Sequence, residues 1–195
     1  VRFPVTSSNE MAKKFVEQGL GQLYGFWFLE SERSFRQAAA LDPDCAMAYW
    51  GAAQATRGKE KRAKGFIAEA VKRKDKVTER ERLYIEAFDA YLKAGDKKKK
   101  ERAQKYTKAL ESIALKFPDD VEAKALLALQ LYNNRRAGIE TLSYLAIDSL
   151  IQQVFAVEPY HSAHHFRIHL WDYKKPEVAL SSAALCGQTS PSIAH

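Results

Sequence analysis

Small and apolar residues recur along this chain in trios, with an interval of four positions followed by an interval of three. These offsets place three side chains on one face of an α-helix, as packing against a neighbouring helix requires. The trios are Ser31, Phe35 and Ala38; Ala63, Ile67 and Ala70; Tyr106, Leu110 and Ile113; Ile147, Ile151 and Val154; and Ala179, Ala183 and Cys186. A proline follows every trio except the second, and proline interrupts a helix. The pattern therefore predicts a repeated helix that buries one face.

Glycines predict a second helix in each repeated unit. Gly19 and Gly51 each lie twelve residues before the first member of a trio, where two helices of a hairpin can come close because no side chain intervenes. Thr78 and Glu81 have the spacing of a capping box, which predicts a helix start at that point. The predicted helix pairs are 9–27 with 30–41, 45–57 with 59–75, 79–93 with 97–116, 120–133 with 139–156, and 160–172 with 175–187.

Composition favours an all-α fold. The 195 residues include only 9 glycines and 6 prolines, and β-branched runs are short. The 46% hydrophobic and 28% charged residues are typical of a folded chain. No apolar run approaches the roughly 18–20 residues that cross a bilayer, so we expect no membrane insertion. Cys45 and Cys186 form neither a CxxC pair nor a zinc-ligand spacing, and the compartment, cytoplasmic or exported, stays open.

The helix pairs resemble the tetratricopeptide repeat (TPR), a unit of about 34 residues with a small residue in its first helix, an Ala-aromatic-Ala trio in its second and a closing proline. The best matches are Gly19 with Ser31-Phe35-Ala38-Pro43, and Trp50-Gly51 with Ala63-Ile67-Ala70. Residues 42–51 and 164–169 are also similar to a group of bacterial TPR proteins. The third and fourth units depart from the pattern, since they lack the glycine and run longer.

The resemblance implies a right-handed α-solenoid of about five TPR-like hairpins that spans residues 1–195 as a single domain. Residues 192–195 would open another unit, and no polar capping helix closes the last apolar face. We therefore expect the chain to be the N-terminal part of a longer repeat protein.

The resemblance also implies a function, because the first helices of a TPR array line a concave groove that captures a peptide or a partner helix. A protein or peptide is therefore the expected partner, with no cofactor and no enzyme activity. The residues that we expect to contact it are Tyr24, Tyr49, Lys124, His161, His164 and His165.

All 5 histidines lie in the last 35 residues. His161, His165 and His169 follow an i, i+4, i+8 spacing on a predicted helix, and Asp172 lies one turn beyond. Imidazoles and carboxylates are ligands of zinc and other divalent transition metals. Three interpretations stay open: buried or capping histidines, polar contacts in the groove, or a metal site. The last makes a metal-binding protein or metal-dependent enzyme the alternative function.

The net charge of +7 permits binding to nucleic acid, so an RNA-binding helical repeat is a second alternative. The lysines and arginines cluster where turns and helix ends are predicted, which favours a solvated surface over one continuous basic stripe. Ser181, Ser182 and Cys186 are nucleophiles by residue type, but no catalytic motif flanks them. We therefore expect neither nucleic-acid binding nor catalysis.

Overall fold

The computed structural model describes residues 1–56, 58–95 and 98–189, and within these ranges the chain forms ten α-helices and no strand. The predicted all-α class is confirmed. The helices are α1 (Glu10–Tyr24), α2 (Phe28–Leu41), α3 (Ala46–Ala55), α4 (Glu60–Val71), α5 (Glu79–Lys93), α6 (Lys99–Lys116), α7 (Val121–Asn133), α8 (Tyr144–Val157), α9 (Ala163–Trp171) and α10 (Pro176–Thr189). None of the described helices is both long and apolar enough to span a bilayer.

Most helix ends lie close to their predicted positions, and the larger differences have local causes. The first helix ends early because Phe26 adopts a left-handed backbone, with φ 58°, that a right-handed helix cannot include. The eighth begins late because Gly138, with φ 73°, closes a short 3₁₀ turn before it. The Ser143 hydroxyl then accepts a hydrogen bond from the Ala146 N–H at 3.1 Å and caps α8.

The chain divides into two compact units, one comprising Arg2–Lys98 and the other comprising Val1 together with the chain from Lys99 onward. In the first, the N-terminal unit, α1 packs on α2, α2 on α3, α3 on α4 and α4 on α5. In the second, the C-terminal unit, α6 to α10 pack in the same sequential way. The boundary falls between the two helices predicted as the third pair. Sequential packing, as in an α-helical repeat, is therefore present within each unit.

Four of the five trios form the buried face of a second helix, as predicted. Every member of the first four trios is less than 5% exposed. The fifth differs, because Ala179 is buried while Ala183 is exposed and Cys186 is half-buried. Its following proline, and the residues 192–195 expected to open a further unit, lie outside the described residues.

Gly19 of α1 and Gly51 of α3 lie on either side of the Phe35 ring of α2. A Cβ atom added at Gly19 would lie 2.9 Å from the ring, and one added at Gly51 would lie 2.1 Å from it. Both distances are shorter than the roughly 3.5 Å of a carbon–carbon contact. The close approach predicted at Gly19 is therefore confirmed, because Phe35 belongs to the second helix of the same predicted pair. At Gly51 the neighbour is again Phe35 of α2 and not the predicted partner helix α4, so one ring joins three successive helices.

Candidate functional site

Residues 2–7 precede α1 and form a segment without helix or turn. Phe3 and Val5 are buried, whereas Arg2, Pro4 and Thr6 are exposed. This alternation is typical of an extended chain, in which successive side chains point to opposite sides. The segment therefore lies on the N-terminal unit as an extended peptide would.

The Phe3 ring anchors this segment. It is 1% exposed, and its centroid lies 5.8 Å from that of Trp50 in α3 and 5.8 Å from that of Tyr84 in α5. The Arg80 guanidinium stands 4.7 Å from the centre of the Phe3 ring. Aromatic and cation–π contacts at these distances are favourable beyond the area that they bury.

Charged side chains of α1 and α5 bind the polar groups of the segment. The Phe3 N–H donates to Glu17 Oε1 at 3.1 Å, and the Arg80 guanidinium donates to the Pro4 carbonyl. Glu81 accepts from the Thr6 N–H through Oε1 and from the Thr6 hydroxyl through Oε2, both at 2.6 Å. We call Glu17, Trp50, Arg80, Glu81 and Tyr84 the first-helix surface, because α1, α3 and α5 are the first helices of the predicted pairs.

Glu81 has a second role, as the predicted capping box. Its Oε2 accepts from the Thr78 N–H at 3.0 Å, and the Thr78 hydroxyl in turn accepts from the Glu81 N–H at 3.3 Å. The carboxylate is 1% exposed. One buried charge therefore both starts α5 and holds Thr6 in place.

The tyrosines predicted to contact a partner lie elsewhere. Tyr24 is 0% exposed, so its ring is part of the core of the N-terminal unit. Tyr49 is half-buried and faces the second helices α2 and α4, where it lines an open cleft of about 490 Å³. The other residues that line this cleft are Arg36, Arg62, Gly65, Phe66 and Glu69.

Ion pairs already engage most of the charges around this cleft. Arg62 Nε donates to Glu32 Oε1 at 3.0 Å, and Arg73 stacks on the Tyr49 ring with its guanidinium 4.4 Å from the ring centroid. The hydrogen bond from Lys72, and to a smaller extent the one from Arg73, lowers the pKa of Glu69. The charged groups of this cleft are therefore already paired with one another, whereas those of the first-helix surface bind an extended peptide segment.

His161 and Glu122 form a buried pair at the start of α9. Both side chains are 0% exposed, with His161 Nε2 3.0 Å from Glu122 Oε1. The Ala163 N–H donates to His161 Nδ1 at 3.0 Å, so Nδ1 carries no proton. Neutral imidazole then holds its proton on Nε2, which donates to Glu122. His161 is therefore a cap of α9, one of the interpretations that the sequence left open.

His164 is held between two neighbouring segments. Its Nε2 lies 2.8 Å from the Pro159 carbonyl, which only accepts, so Nε2 carries the proton. Its Nδ1 then accepts from the Ser182 hydroxyl of α10 at 2.9 Å. Burial lowers the pKa of His164, so the ring stays neutral. Ser182 is 0% exposed and out of reach of a substrate, which gives this serine–histidine pair a structural role.

Three of the four residues predicted as metal ligands lie close together, and His161 lies apart in its pair with Glu122. His165 Nε2 is 3.2 Å from His169 Nε2, while Asp172 Oδ2 is 3.2 Å from His169 Nδ1. His165 is 6% exposed and the His169 side chain 37% exposed. The two imidazoles therefore approach each other through their Nε2 atoms, and the His169 ring is open to solvent.

Glu122, Glu158 and His161 bring one possible metal-ligating atom each within 4.8 Å of one another. Among the described residues this is the only such group of three or more acidic, histidine or cysteine side chains. Lys124, predicted as a partner contact, is half-buried on the same helix as Glu122.

Sequence reasoning missed several polar core residues. Arg167 is 5% exposed, and its Nε donates to Asp148 Oδ1 at 2.6 Å. The Trp171 indole N–H donates to the same oxygen at 2.9 Å. The spacing of Arg167 and Trp171, one helical turn apart on α9, was the available signal. Nothing in the sequence indicates their partner on α8.

Comparison of the chain with protein-family models, curated proteins and solved structures finds no match.

Proposed function

We propose that this chain is a TPR-like helical repeat that binds an extended peptide of a partner protein on its first-helix surface. The sequential packing of helices within each unit and the glycines that flank Phe35 support a repeat of this kind. The right-handed solenoid of about five hairpins is part of the same proposal.

The observation that carries the proposal is the seat of residues 2–7 on α1, α3 and α5. The chain supplies its own extended peptide to the surface where the resemblance predicts a bound partner. Phe3 enters an aromatic pocket, while Glu17, Arg80 and Glu81 bind backbone groups. Contacts to the backbone give affinity and a pocket for one side chain gives selectivity, the usual division in peptide recognition.

The contacts define the chemistry of the partner. The Trp50–Tyr84 pocket fits an aromatic side chain, and Arg80 over its face adds a cation–π contact. Thr6 lies three residues after Phe3, and Glu81 accepts hydrogen bonds from its backbone N–H and its hydroxyl. The partner peptide therefore has an aromatic residue followed, at the third position, by serine or threonine.

Competition with the chain's own segment tests this proposal. We expect Phe3→Ala, in the full chain, to loosen residues 2–7 and open the surface to a labelled synthetic peptide with the sequence of residues 1–8. Burial of a phenylalanine contributes about 1.5–3 kcal/mol, so the variant should bind the peptide roughly 10- to 100-fold more tightly than the wild type. Fluorescence anisotropy measures both affinities.

Phe28→Ala is the matched control, since Phe28 is a partly exposed aromatic of the same unit outside the segment. This control should bind the peptide as weakly as the wild type. A peptide with alanine in place of its phenylalanine should not bind the Phe3→Ala variant. If the unaltered peptide does not bind that variant either, residues 2–7 are a permanent part of the core and the proposal fails.

A further inference from the structure

His165 and His169 lie one turn apart on α9, and their Nε2 atoms approach each other. Zinc binds imidazole nitrogen at about 2.0–2.1 Å, so two ligands of a tetrahedral ion lie roughly 3.3 Å apart. The observed separation of the two Nε2 atoms is 3.2 Å. The rings meet edge to face, with centroids 4.8 Å apart and planes at 80°. The spacing of the two nitrogens therefore matches that of two ligands of one ion.

Asp172 supplies the second feature of a metal site. Histidine ligands usually donate their other ring N–H to a carboxylate, which fixes the tautomer and leaves the ligating nitrogen unprotonated. Asp172 Oδ2 lies 3.2 Å from His169 Nδ1, so the lone pair of His169 is on Nε2. The other oxygen, Oδ1, is buried and accepts no hydrogen bond. The carboxylate is therefore positioned to orient His169.

From this geometry we infer that His165 and His169 bind a divalent transition-metal ion, with Asp172 as the residue that orients His169. The ion enters on the side of His169, which is open to solvent, and water completes its coordination. Two imidazoles suit Cu²⁺, Ni²⁺ and Zn²⁺, with Cu²⁺ the strongest, and do not suit Mg²⁺ or Ca²⁺.

The neighbouring group of Glu122, Glu158 and His161 is the competing location, and its hydrogen bonds argue against it. His161 Nδ1 accepts the Ala163 N–H, which forces the proton onto the Nε2 that faces Glu122. An ion there must displace that proton and create an imidazolate, or break the cap of α9. At His165 and His169 an ion displaces the one proton that the two Nε2 atoms share, but the cap of α9 stays intact and His165 remains a neutral imidazole when its Nδ1 takes up that proton.

Calorimetric titration of the chelator-treated full chain with Cu²⁺, Ni²⁺ and Zn²⁺ tests the inference. We expect one ion per chain, and two nitrogen ligands in the electron paramagnetic resonance spectrum of the Cu²⁺ form. His169→Gln should lose one of these nitrogens and most of the affinity. Asp172→Asn should keep both nitrogens and bind about tenfold more weakly, which is the effect expected of an orienting carboxylate.

Two control variants locate the ion. His164→Gln alters the adjacent histidine, which contacts Ser182 and Pro159, and should bind metal like the wild type. His195→Ala removes the histidine outside the described residues and should also leave binding unchanged. Circular dichroism checks that each variant is folded. The inference is overturned if the wild type binds no ion, if folded His169→Gln binds as before, or if only His161→Gln abolishes binding.

Discussion

Gly51→Ala gives the sharpest test of how the N-terminal unit is assembled. The added methyl group would lie 2.1 Å from Phe35 Cε1, whereas a relaxed contact is about 3.5 Å, so the ring must move by roughly 1.4 Å. It has no room to do so, because Phe35 is 0% exposed and its other edge already lies against Gly19. The substitution therefore overfills a closed space.

Two opposing effects set the magnitude. Overpacking of a core costs about 1–3 kcal/mol and occasionally more, and the short distance here puts the cost at the upper end. Alanine in place of glycine within a helix contributes about 1 kcal/mol in the opposite direction. We expect the free energy of unfolding of the Gly51→Ala variant to fall by about 2 kcal/mol.

Urea denaturation followed by circular dichroism measures the change, with Gly65→Ala as the matched control. Gly65 is also helical, but a Cβ there meets nothing within 4 Å, so its replacement should stabilise the protein by about 0.5–1 kcal/mol. Phe35→Leu should cost less in the Gly51→Ala background than in the wild type, because a smaller side chain relieves the overlap. Equal stability of the two alanine variants would refute the reasoning.

Three further predictions concern titration, thiol reactivity and capping. Burial lowers the pKa of His164 below 6.5, so the folded state binds fewer protons. The free energy of unfolding should therefore fall as pH drops below 6.5, and His164→Gln should flatten that part of the profile in metal-free protein. Burial raises the pKa of Cys45 to about 11, so a thiol reagent at pH 8 should modify only Cys186 in native protein and both cysteines in urea. Asp120 accepts hydrogen bonds from two N–H groups at the start of α7, so Asp120→Ala should cost about 1 kcal/mol in thermal or urea unfolding.

The helices and their buried faces could be predicted because both follow from local sequence. A trio such as Ala63, Ile67 and Ala70 is the entire buried set of α4, and the same holds for the trio of α8. The capping box at Thr78 needs only two residues at the right spacing. Such features depend on the residues of a single helix, so their spacing in the sequence is sufficient to predict them.

The candidate sites depend on tertiary contacts, and sequence found them only in part. Phe3 lies outside any periodic pattern, so nothing marked it as an anchor for Trp50 and Tyr84. The register of the repeat predicts that Tyr24 faces the groove, but its ring is buried, because the rotation of a helix about its axis is set by tertiary packing. The histidine spacing did predict the approach of His165 and His169, because both lie on one helix.

Glu81 links the state of a helix to the state of its ligand surface. Its carboxylate is already oriented by Thr78, so an incoming peptide meets an acceptor that needs no ordering. Conversely, departure of the Thr6 N–H and hydroxyl removes two hydrogen bonds from the Glu81 carboxylate and leaves those from Thr78. Amide exchange in the first turn of α5 should therefore slow when the surface is filled and quicken when it is emptied, which makes that turn a natural reporter of occupancy.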